Sequence, residues 1–152
     1  SDVVIVRESA RFGMPEPRIG FIPSQIVPFV VRRIGEGPAR ELAVTGRLID
    51  ADEALRLGIG RYLCANEADI ARTLEAVLDD IRRNEPAAVA AVKALALSCA
   101  TDSDPRVMDA AAAHLVRLLR GSAAQAGMQA FLDKRPAPWA PEADRRSRRA
   151  VE

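Results

Sequence analysis

The sequence holds one histidine and two cysteines, Cys64 and Cys99, among 152 residues. The cysteines form no CxxC pair, so a transition-metal site is not expected. Both sit in apolar surroundings and read as buried free thiols in a reducing cytosol. Charge of one sign is also lacking. The 22 Lys and Arg nearly balance the 21 Asp and Glu, leaving a net charge of +1. Nothing therefore draws the chain as a whole to nucleic acid or to an anionic membrane surface. No apolar run approaches the length of a membrane span. The opening residues lack the basic-then-apolar order of a cleavable signal. Neither an internal repeat nor a low-complexity linker is visible. A cytoplasmic protein without metal, nucleic-acid or membrane partners is the expectation.

What is present favours helices around a genuine core. Hydrophobic residues make up 49% and charged residues 28%, while aromatics are only 4%. Alanine is abundant, and a chain of this length suits one domain or a large piece of one. Near the start, Val3-Val4-Ile5-Val6 is a run of β-branched residues. Such a run reads as a strand buried on both faces, as in parallel sheet. It needs neighbours, yet little downstream reads as strand except Ile59 to Cys64. The chain looks like the second part of a larger fold.

The stretch Phe12-Gly-Met-Pro-Glu-Pro-Arg-Ile-Gly-Phe-Ile-Pro-Ser-Gln25 organises the rest. Glu16 lies between Pro15 and Pro17. Those prolines predict a stiff, non-helical strap with Glu16 extended. Ile19, Phe21 and Ile22 read as its apolar anchors. Ser24 is placed to cap a helix starting near Gln25, whose free amides could hold a polar ligand. On the residues alone, Glu16 is either a solvated loop acid or an acid/base group.

The remaining pattern is helical. Ile26, Phe29, Val30 and Ile34 recur at helical spacing up to Gly35, with Arg32 and Arg33 in the last turn. A second helix opens after Gly37 and runs to Gly46. Asp50 and Glu53 form a capping box for a short helix ending at Gly58. Asn66 caps a long helix bearing Ile70, Leu74, Val77, Leu78 and Ile81 on one face. Further helices start at Asn84-Glu85-Pro86, with Val89, Val92 and Leu95 to Leu97 inside, at Asp104-Pro105, and after Gly121-Ser122. His114 reads as a packed or rim histidine. The tail Arg145 to Arg149 reads as a disordered basic terminus.

Several of these segments, in this order, resemble the enoyl-CoA hydratase/isomerase (crotonase) family. They are Ser1-Asp-Val-Val-Ile-Val, Phe12-Gly-Met-Pro-Glu16, Gly20-Phe-Ile-Pro23, Leu42-Ala-Val-Thr-Gly46, Ile49 to Gly58, and Gly127-Met-Gln-Ala-Phe-Leu-Asp-Lys-Arg135. The resemblance reaches to about Trp139 and corresponds to the C-terminal part of a family member. It implies an α/β fold: the end of a ClpP-like ββα spiral core, followed by a mostly α-helical trimerisation region. Residues 1–65 would form the end of the core with the strap. Residues 66–139 would form the assembly region, and 140–152 the tail.

The same resemblance implies an acyl-CoA lyase that hydrates a 2-enoyl-CoA. Glu16 matches the glutamate that handles the α-carbon proton while water adds at the β-carbon. The Ser24 backbone N–H matches a position that holds the catalytic water. Phe131 and Lys134 match residues approaching the CoA adenine and phosphates. No cofactor is implied beyond the coenzyme A carried by the substrate. The implied partners are an acyl-CoA thioester, copies of the chain in a trimer or hexamer, and an N-terminal half of the same fold. The family's first catalytic glutamate and its oxyanion-hole amides match no residue here, so the chain alone is expected to be inactive. Where many relatives carry a Gly-rich turn, this chain reads Ser24-Gln-Ile-Val-Pro-Phe-Val30. That variant resembles the methylglutaconyl- and isohexenylglutaconyl-CoA hydratases of leucine and terpene catabolism. Ala126 occupies a position that is usually acidic in the family. A non-catalytic oligomerisation remnant and a crotonase-family isomerase are the alternatives.

Overall fold

The computed structural model describes residues 1–99 and 106–142. The chain forms two compact units, Ser1–Glu75 and the part from Ala76 onward. The first contains β1 (Ile5–Arg7), β2 (Phe12–Gly13), α1 (Val27–Ile34), α2 (Glu36–Thr45), β3 (Leu48–Ile49), α3 (Ala51–Arg56) and β4 (Tyr62–Cys64). Helix α4 (Glu67–Arg82) runs from the first unit into the second. Helices α5 (Pro86–Cys99), α6 (Arg106–Leu119) and α7 (Ser122–Leu132) belong to the second.

Strand β1 pairs in parallel with β4, Val6 opposite Leu63. Among the described residues this is its one paired neighbour. The Val3–Val6 run is not buried throughout, as its side-chain exposures show. Val6 is buried, Val4 and Ile5 are half-buried, and Val3 is exposed. β2 and β3 form a short antiparallel pair, Phe12 opposite Ile49 and Gly13 opposite Leu48. The Leu48–Ile49 strand is too short to register as a period-2 pattern.

The core of the first unit gathers Met14, Leu42, Ile49 and Ala54, with Phe12, Val27, Val30, Ile34, Leu57 and Ile59 packed around it. On α1 the half-buried stripe facing the core is thus Val27, Val30 and Ile34, whereas Ile26, just before the helix, and Phe29 are exposed. The Arg32 guanidinium lies over the Phe29 ring, 5.3 Å from its centre. Leu42 and Ala39 form the buried side of α2.

Helix ends differ from the expectation in instructive ways. Helix α1 starts at Val27, and no side chain caps it. Ser24 instead lies in the turn before it, where Val27 N–H donates to the Pro23 carbonyl at 3.0 Å. Helix α2 begins at Glu36, directly after Gly35, so Pro38 falls at its third position. Gly35 has φ 83° and ψ 164°, outside the αL region, because it ends α1 and starts α2 at once. Asp50 does cap α3, accepting from Glu53 N–H at 2.9 Å. The return half of the capping box is missing, since the Glu53 carboxylate binds Arg47 instead. Asn66 caps α4 through Asp69 N–H at 3.0 Å. The Glu85 carboxylate accepts from Ala88 N–H at 2.6 Å at the start of α5.

The second unit buries less. Val92, Leu95 and Leu97 of α5 are exposed rather than internal, as is Ile81 of α4; Leu74, on the part of α4 in the first unit, is exposed too. An apolar cleft of about 530 Å³ lies between α5 and α6, lined chiefly by alanines with Leu95, Leu118 and the half-buried His114. Ser98 lines it as well. Cys99, one residue and about 100° further round the helix, is exposed, so only Cys64 is a buried thiol. Trp139 ties the end of this unit back by donating its indole N–H to the Arg83 carbonyl at 3.0 Å. The Asp104-Pro105 helix start and the basic tail lie outside the described residues.

Candidate active site

The strap is not wholly non-helical. Glu16–Ile19 forms one 3-10 turn, with Pro15 at its N-cap and Pro17 at its second position. Prolines are tolerated there because first-turn N–H groups have no helical acceptor anyway. Arg18 N–H donates to the Pro15 carbonyl at 3.0 Å, and Phe21 N–H to the Glu16 carbonyl at 3.1 Å. Gly20, at φ 83°, closes the turn in the left-handed region.

The expected anchors are not the ones used. Ile19, Phe21 and Ile22 are all exposed, Phe21 at 67%. Met14 and Pro23 hold the strap instead, both buried at its two ends. Anchors at the ends leave the middle projecting.

Glu16 sits near the start of that middle, in the 3-10 turn, and is half-buried. Its Oε2 is buried with no hydrogen-bond partner. Ser24 lies at the far end of the strap, exposed, and its backbone N–H donates to the Ile22 carbonyl at 2.9 Å. Phe131 and Lys134 belong to the second unit, at the end of α7. Phe131 is 82% exposed. Lys134 N–H donates to the Phe131 carbonyl at 3.1 Å, in a turn where Lys134 takes φ 53°. The structure thus places the four expected residues as two pairs, one in each unit. Among the described residues no cluster of His, Cys, Asp and Glu could hold a metal ion.

Behind the strap stands a group that the residue patterns do not single out. Arg47 follows Gly46, the αL residue closing α2. Its guanidinium grips Glu53 through Nη1 at 2.9 Å and Nη2 at 2.6 Å. It also grips Glu41 through Nε at 3.1 Å and Nη2 at 2.9 Å. The hydrogen bond from Arg47, ahead of the burial that opposes it, holds the Glu53 carboxyl below the usual carboxylate range. Its bonds to Glu53 and then Glu41 raise the Arg47 pKa in turn. The three charges sit on separate segments, Glu41 on α2, Arg47 in the turn after it and Glu53 on α3, so no single helical or strand pattern links them.

Comparison with known proteins decides what this arrangement belongs to. The model of the family described as enoyl-CoA hydratase/isomerase matches residues 1–142. The chain belongs to that family. An enoyl-CoA hydratase/isomerase from Marinobacter aquaeolei superposes with a TM-score of 0.88 at 40% identity, over 93% of this chain and 53% of that one. Pseudomonas aeruginosa AtuE superposes with a TM-score of 0.89 at 41% identity, over 93% and 55%. A carnitinyl-CoA dehydratase of Proteus mirabilis is 32% identical over 91% of this chain and 55% of its own length. The chain therefore spans about half the length of the curated relatives it matches. The fold is that of the crotonase family, with a mostly helical partial chain, as the resemblance implies. Family members act on acyl-CoA thioesters. No helix among the described residues is long and apolar enough to cross a membrane.

Proposed function

We propose that this chain supplies the α-carbon acid/base of an acyl-CoA lyase, which hydrates a branched 2-enoyl-CoA, as the C-terminal part of a complete enzyme. One observation carries the reading: in a chain of this family, Glu16 keeps a buried carboxylate oxygen that accepts no hydrogen bond. Leaving such an acceptor unpaired costs about 1–3 kcal/mol. A buried polar group left unsatisfied calls for a use, and proton transfer is one. Glu16 would deliver a proton to the α-carbon as water adds at the β-carbon, and remove it in the reverse direction. The Proteus mirabilis relative is named for dehydration, the same proton transfer run backwards. The branched acyl group rests on the Ser24–Val30 variant.

A second carboxylate and preorganised amides for the thioester oxyanion complete such a centre. In this reading an N-terminal half of the fold provides them, and the chain alone is inactive. Ser24 could orient the water only if its N–H leaves the Ile22 carbonyl. The exposed Phe131 and the neighbouring Lys134 would meet the adenine and phosphates of CoA. No cofactor enters beyond that CoA. A cytoplasmic trimer or hexamer is the accompanying assembly.

The test is Glu16→Gln in the complete enzyme. The expected result is a fall in kcat of about 10²- to 10⁴-fold with KM little changed. A loss below about 10-fold overturns the reading, being too small for a positioned acid.

A non-catalytic assembly module is the second reading. It is favoured by the exposed Leu115, Leu119, Met128, Phe131 and Leu132 on α6 and α7. A natural protein of 16.4 kDa, with no companion polypeptide and no hydratase activity, would support it over the first.

A further inference from the structure

The strap on either side of Glu16 rests on three consecutive residues, Gly46, Arg47 and Leu48. On the N-terminal side, Gly13 pairs with Leu48 in the β2–β3 ladder, only three residues before Glu16. The approach there is close. A side chain on Gly13 would start 2.6 Å from the Arg47 carbonyl oxygen and 2.8 Å from Leu48 Cδ2. On the C-terminal side, Arg18 lies against Gly46. A Cβ on Gly46 would fall 3.3 Å from both Arg18 Cγ and Nε, and 3.7 Å from the Met14 carbonyl oxygen. Gly46 is buried and takes φ 58°, so the turn itself requires glycine.

The Gly46–Leu48 turn is therefore a seat on which the acid-bearing strap rests. What fixes the seat is Arg47. Its side chain, 36% exposed, joins Glu41 on α2 to Glu53 on α3, the two helices that flank the turn. A single exposed ion pair does little. A planar guanidinium gripping two carboxylates at once sets direction as well as distance. Placement of a reacting group to within about 1 Å is worth up to roughly 100-fold in rate.

We propose that the Glu41–Arg47–Glu53 network is a positioning device for Glu16: it locks the turn on which both sides of the catalytic strap are seated. Arg47 touches no reacting atom in this scheme and acts through the backbone it holds. The inference rests on the reading of Glu16 as the acid/base, so the experiment separates the two.

Three variants of the complete enzyme, Glu16→Gln, Arg47→Met and Arg47→Lys, would be assayed for kcat and KM. They would also be assayed for exchange of the α-hydrogen of a saturated acyl-CoA with D₂O, a readout of the carboxylate's own proton transfer. Arg47→Met is expected to lower kcat and the exchange rate together, by roughly 10- to 100-fold, with KM within about 2-fold. Arg47→Lys, which keeps the charge but not the fork, should fall between Arg47→Met and the parent. If Arg47→Met does not fold, Glu41→Gln, which spares the Glu53 grip, should still lower exchange measurably. Parent-like exchange in the folded variants, alongside an inactive Glu16→Gln, overturns the positioning role and leaves the acid/base reading standing. An active Glu16→Gln removes the acid/base reading, and the positioning role falls with it. A loss confined to KM or to thermal stability would mark Arg47 as merely structural and overturn the proposal.

Discussion

The two units of this chain use similar amino acids to different ends. In the first, Val6, Met14, Leu42, Ile49 and Cys64, with small alanines between them, are closed off from solvent. In the second, among the described residues, only Ala130 and Ala140 are, while leucines on α5, α6 and α7 stand open. The first unit draws its elements from distant parts of the sequence, with β1 beside β4 and β2 beside β3. The second unit is built from successive helices. Apolar content alone does not tell a closed core from an open face. What separates them is whether some other segment arrives to cover the apolar side.

Paired deletions sharpen that contrast most. Ile49 is 1% exposed at the centre of the first core. Ile49→Ala should cost about 2–5 kcal/mol in denaturant unfolding. Leu132→Ala, at an open position of α7, should fall within about 0.5 kcal/mol. A Leu132 effect as large as that of Ile49 would break the comparison, because it would mean that this face is covered in solution.

Helix capping gives a smaller effect. Asp50 accepts a hydrogen bond at the start of α3, whereas α7 begins after Gly121 with no side-chain cap. Asp50→Ala should lower stability by about 1 kcal/mol. A neutral result would show that packing of Ala51 and Ala54, both buried, holds that helix without its cap.

The mildest test is acid titration. Arg47 depresses the Glu53 pKa in the folded state. The network therefore stabilises fully above the unfolded-state value near 4.5, and that stabilisation is lost as pH falls through the lower folded value. In the second unit Asp133 has the same sign, through Arg135 and then Gln129. Melting temperature measured downwards from pH 6 should drop less steeply below pH 4.5 in Glu53→Gln than in the parent. An unchanged acid limb would show that the Arg47 network contributes nothing to stability in solution.

Much of the fold was legible from local chemistry. The caps at Asp50 and Asn66, the helix start near Pro86 and the strand at Tyr62 follow from residue types acting within a few positions of themselves. The strap was legible as a strap, and Glu16 as its acid, because prolines act locally. The misjudged positions share one cause. Ile19, Phe21 and Ile22 have the hydrophobicity of anchors, and Ser24 has the chemistry of a cap. Neither property says where the rest of the chain will be. Met14 became an anchor because Leu42 of α2 and Ile49 of β3 pack with it. Glu53 had the spacing to complete a capping box, but an arginine six residues earlier competed for its carboxylate and won.

The sequence by itself determined where α3, α4, α5 and α7 start, where the chain must turn, and that a single acid rides between two prolines. Those are consequences of dihedral limits and short-range hydrogen bonds. Only the tertiary structure decided that one oxygen of this acid is buried without a donor. It alone seated the strap on Gly46–Leu48 and put Arg47 between two carboxylates, because these depend on contacts between residues far apart in the chain, which no local periodicity encodes.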